Sequence, residues 1–121
     1  MTETESFMHS ILRAIPGLSD LFREHEAEYG EMLPHVLLAD VTRLALEWGQ
    51  EAHADSVIAR APLESLVETL EQAMQSGPES VRELVVVSFL ENLDWRDPGF
   101  ALVKKCFGPS LVGAWTRLGK A

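Results

Sequence analysis

The sequence predicts an all-α fold, a single compact bundle of about six to seven helices spanning residues 1–121. Three observations predict it. Apolar residues recur at three- and four-residue intervals along most of the chain. Prolines and glycines divide the chain into pieces of helical length. The most apolar stretch, "ELVVVSFLENLDW" at 83–95, has no second run of strand-like quality with which to pair.

The elements follow in order. Residues 3–15 place Phe7, Ile11 and Ile15 on one stripe, with Met8 and Leu12 beside it. "IPGLSD" stops that helix, and Ser19 suits the N-cap of a second. The second runs to Tyr29, with Leu21, Phe22, His25 and Tyr29 on one side and Glu24 and Glu28 on another, and Gly30 ends it. A third helix has Pro34 in its first turn, where a missing N–H is harmless. It carries Leu33, Leu37, Val41, Leu44 and Trp48 on one face and Asp40, Arg43 and Glu47 along its flank, and Gly49 closes it.

Residues 50–61 admit two readings, a loop with a short helical turn or the start of the next element. Pro62 then opens a fourth helix, with Leu63, Leu66, Val67, Leu70 and Met74 on one stripe and Glu64, Glu68 and Glu71 opposite. "SGP" at 76–78 separates it from a central hydrophobic helix over residues 78–92. That segment exceeds a usual strand of about 5–6 residues, and its apolar side chains cover most of the helical circumference. Two shorter segments, 98–107 and 109–118, each begin at a proline and are divided by Gly108.

Within the central helix an unpaired buried Glu91 would be expensive. It therefore reaches solvent, pairs with Arg82, Arg96 or Lys105, or marks a pocket. Asn92 fits a helix stop.

Composition narrows the function classes. Nineteen acids against ten bases give a net charge of −9. That opposes binding to nucleic-acid phosphates and favours basic partners. A single cysteine, Cys106, leaves no disulfide framework and no Cys-based zinc site. No apolar run approaches the ~20 residues of a membrane span. The opening "MTETESFMHS" has no basic stretch of the kind that starts a signal peptide, so a cytoplasmic location is expected.

The four histidines, His9, His25, His35 and His53, contain no i, i+4 metal pair, and no serine lies in a G-x-S-x-G setting. No phosphate-binding glycine loop occurs. The expectation is a non-enzymatic chain without metal or cofactor. Protein binding is the leading class. Acidic residues Glu26, Glu28, Asp40, Glu64, Glu68 and Glu71 are nominated for contact with a partner, together with Trp95 in the "DWRDPG" turn. The alternatives are an adaptor domain, homodimeric through apolar helices, and a small-molecule site built from His25, Asp40 and Glu91.

Three segments carry a resemblance: "EMLPHVLLADVTRLALE" (31–47), "VRELVVVSFLENL" (81–93) and "CFGPSLVGAW" (106–115). In this order they resemble a family of small all-helical bacterial proteins. Its members show an acidic LLPH segment leading into a DxTR helix, then VSFLENL, then LGPxL. The last motif here reads "FGPSL". The resemblance brings no catalytic motif. It implies similarity to the immunity proteins of polymorphic-toxin systems, and so a cognate toxin as partner.

Overall fold

The computed structural model describes residues 1–53 and 57–119. Among these the chain forms seven α-helices and no strand: α1 (Glu3–Ala14), α2 (Ser19–Tyr29), α3 (Pro34–His53), α4 (Val57–Ser76), α5 (Glu79–Ser88), α6 (Phe100–Lys105) and α7 (Pro109–Arg117). Short 3-10 turns occupy Pro16–Leu18 and Leu90–Asn92. The fold is an all-α bundle. One apolar cluster joins Met8 and Ile11 of α1 to Leu111 and Trp115 of α7 through Leu37, Leu66, Leu84 and Phe89. None of the described helices is long and apolar enough to cross a membrane.

Local chemistry sets most boundaries. Thr2 and Glu5 form a reciprocal capping box at the start of α1. Gly30 ends α2 at φ 74°, a backbone state that favours glycine, and its N–H meets the Glu26 carbonyl at 2.7 Å. Pro109 begins α7 in the first turn. Ser19 is not an N-cap. The turn at Pro16–Leu18 feeds straight into α2, and the Ser19 hydroxyl donates back to the Pro16 carbonyl at 2.6 Å.

Three expectations need larger corrections. Gly49 does not close α3, which continues to His53. The glycine instead lets another segment approach: a Cβ at Gly49 would stand 2.3 Å from the Gly99 carbonyl oxygen, and one at Gly99 would stand 2.0 Å from that of Leu46. Pro62 lies inside α4, which begins five residues earlier at Val57. The missing N–H would have served Ile58, at the exposed entry of the helix. Residues 50–53 and 57–61 are therefore helical, and 54–56 lie outside the described residues.

The third correction concerns the opening apolar stretch. It is helical, but the helix expected over 78–92 ends at Ser88, with Pro78 as its N-cap. Phe89 departs to φ −109°, and a 3-10 turn follows. The helix is not apolar all round either: Val81, Leu84, Val85 and Ser88 face inward, while Arg82, Glu83 and Val87 are exposed. It shares the centre with α3, which lies against α1, α4, α5 and α6.

Candidate functional site

The break after Ser88 frees a carbonyl that a continued helix would have satisfied. Three side chains gather on this residue. Asn92 Nδ2 donates to the Ser88 carbonyl at 2.9 Å. The Thr42 hydroxyl stands 3.1 Å from the same oxygen and 2.7 Å from the Leu38 carbonyl. The Ser88 hydroxyl meets His35 Nδ1 at 2.7 Å. These residues come from the LPH, DxTR and SFLEN segments, far apart in the chain. The polar members of the motifs thus meet at the joint that seats the end of α5 on α3.

A serine beside a histidine invites comparison with a hydrolytic nucleophile. Here Ser88 is 2% exposed, and no carboxylate among the described residues bonds the other nitrogen of His35. The arrangement fastens two helices. Asn92 helps to stop the helix, but through its amide rather than through a left-handed backbone.

Beyond this joint the chain runs along α3 as a ledge, and its far end is fastened too. Asp97 Oδ1 accepts from Gly99 N–H at 2.8 Å and from Gln50 Nε2 at 3.1 Å. Asp94 Oδ1 accepts from the backbone and side chain of Arg96 at 2.9 and 3.1 Å. The Asp97 N–H meets the Asp94 carbonyl at 3.0 Å. Between these ties stands Trp95, 69% exposed. A loop held at both ends presents an indole to solvent.

The nominated acids separate into distinct groups. Glu26 and Glu28 are exposed on α2. Asp40 is half-buried and paired with Arg43. Glu64 and Glu68 are exposed, but they line a groove with Arg60 and Lys105, and Glu64 bonds Arg60 at 2.9 Å. That groove carries both signs of charge rather than forming a purely anionic face.

Glu71 is not a surface residue. It points inward, and its two oxygens accept from the backbone N–H groups of Ser110 and Leu111, each at 2.9 Å, and from Gln75 at 3.0 Å. It holds the first turn of α7, where unpaired N–H groups favour an anion. Burial pushes its carboxyl up, but the bonds from Leu111, Ser110 and Gln75 prevail and hold it below the ordinary value of 4.5. Gly108 makes room, since a Cβ there would lie 2.5 Å from the Glu71 carboxyl carbon. The glycine and proline of "FGPSL" thus have separate tasks, one admitting the carboxylate and the other starting the helix.

The pocket expected from His25, Asp40 and Glu91 does not assemble. His25 is buried in a cavity lined by neither of the other two, and Glu91 is exposed on the ledge. Cys106 is half-buried beside Glu64. Burial first, and then the Glu64 carboxylate, push its thiol up, away from a reactive thiolate. No group of three or more His, Cys, Asp or Glu among the described residues is placed to hold a metal ion.

The fold and the fastened ledge define a small all-α domain with an outward tryptophan. A family model described as a domain of unknown function (DUF7674) matches residues 8–120, and the chain belongs to that family. No curated protein and no solved structure matches it.

Proposed function

We propose that the chain is a non-catalytic protein-binding domain of the immunity type, which binds a cognate bacterial toxin and blocks it. The observation that carries this reading is Trp95, held out to solvent on a loop tied at Asp94 and Asp97. A large aromatic that is ordered before binding loses little freedom when it enters a partner's pocket. Glu91 and Asp94 stand exposed nearby in the chain, and the net charge of −9 steers the domain toward a basic partner. The resemblance of the three motif segments to immunity-like proteins supplies the toxin as the kind of partner.

The test is capture of the partner from the native host, followed by calorimetry. Trp95→Ala removes a hot-spot anchor worth about 2 kcal/mol or more, so affinity falls roughly 30-fold while the melting temperature holds. An affinity within twofold of wild type removes this surface from consideration.

A second reading, a self-pairing adaptor domain, draws on Val57 and Ile58, which are 80% and 89% exposed at the start of α4. Sedimentation equilibrium separates the two. A dimer that Ile58→Glu dissociates, with no host partner captured, favours the adaptor.

A further inference from the structure

Trp95 has no apolar company at the surface. Among the described residues, no other large apolar side chain from 37 to 53 or from 88 to 111 is exposed. A greasy docking patch needs neighbours of its own kind, and the indole has none beside it in the chain or along the end of α3.

Charge surrounds it instead. The Gln50–Asp97 bond at 3.1 Å and the close approach of Gly99 to Gly49 set the ledge against residues 46–50 of α3. Glu47 and Glu51 on that helix, and Glu91 on the ledge, are exposed. None of these three carboxylates has an ion-pair partner among the described residues. Arg96, the one basic residue within 89–99, turns to Asp94 at 3.1 Å. The ledge thus joins an exposed ring to acids that lack a counter-charge.

We propose that this surface takes an arginine of the partner protein, whose guanidinium lies flat on the face of Trp95 within the field of Glu47, Glu51 and Glu91. The inference rests on the protein-binding reading above and names the group that meets the indole. The faces of an indole carry negative charge density, and tryptophan is the best aromatic partner for a cation. A guanidinium is planar and weakly hydrated, so it stacks on a ring more readily than an ammonium, which holds its water closely. The three carboxylates draw the cation in from a distance. An apolar partner face would cover the same ring but would strip water from these charges with no return. An acidic partner face would be repelled.

The experiment titrates the full chain with a short blocked peptide of glycine and arginine. A second titration uses the same peptide with citrulline for arginine, which keeps the planar group and loses the charge. NMR follows the Trp95 indole N–H and the backbone amides at millimolar peptide. The expected result is saturable shifts at the indole and at amides 91–97 and 47–51, with the arginine peptide binding about fivefold tighter or more. Trp95→Leu keeps an apolar side chain without the ring, and lowers the affinity of the arginine peptide about threefold or more at an unchanged melting temperature. Equal affinity for the two peptides overturns the proposal. So does absence of saturation, or an arginine peptide that binds Trp95→Leu as tightly as the unaltered chain. Failure here is separable from failure of the protein-binding reading. Where the peptides bind alike but Trp95→Ala still weakens the captured partner, the surface stands and the arginine falls.

Discussion

Two late segments of this chain are each secured to an earlier helix, and by opposite means. The helix α7 is held by a charge: one buried carboxylate, Glu71, grips two backbone N–H groups at its start. The exit of α5 is held by neutral groups, with Thr42, Asn92 and His35 gathered on Ser88. The first seam concentrates its hold in one side chain and depends on that side chain's ionisation. The second spreads it over three, and the loss of any one leaves the others in place. The difference teaches that an acid in an acidic chain need not face outward, and that neutral side chains can seat a helix end as a charge does.

The largest effect expected is at the charged seam. Glu71→Ala leaves the N–H groups of Ser110 and Leu111 buried or half-buried without their acceptor. Bonds to an ionised group contribute about 1.5–3 kcal/mol each, so a loss of about 3 kcal/mol or more is expected in urea unfolding. A loss under about 1 kcal/mol would mean that water replaces the carboxylate readily.

Acid sharpens the comparison next. Glu71 has its carboxyl held low in the folded chain, so its contribution is complete above the ordinary value of 4.5 and is lost as pH falls through its depressed value. Wild type should exceed Glu71→Gln in stability at neutral pH, and the gap should close progressively below 4.5. Melting curves across that range check it; a gap that stays constant with pH would break the charge-based account of this seam.

At the neutral seam the effect is smaller. Thr42→Val keeps the volume and removes one donor, while Asn92 still serves the Ser88 carbonyl. A loss of about 1 kcal/mol is expected, with no added dependence on pH in the acid range. A loss equal to that of Glu71→Ala would show that the joint behaves as one cooperative unit rather than as separate ties.

What the sequence made legible was local. Gly30, Pro34, Pro78 and Pro109 mark helix limits because each acts through its own backbone, and the apolar stripes of α1 and α3 follow from spacing alone. What stayed hidden was non-local. Gly49 looks like a stop until Gly99 arrives against it. Pro62 looks like a start until five more residues prove helical before it. Glu71 shares its phase with Glu64 and Glu68, and only α7 packing beside it distinguishes an internal clasp from a solvated acid.

The proposed surface divides in the same way. An exposed Trp95 could be read from its turn, whereas the ties that orient it needed Gln50, more than forty residues away.

The crossing of Gly49 and Gly99 has one more consequence. Where two main chains touch with only hydrogens between them, substitution can only add bulk, so drift at either position is blocked. The platform beneath Trp95 therefore has no room for a side chain at either crossing point. Novelty on the proposed surface must come from exposed neighbours outside these ties, such as Glu91, on a mount that cannot change.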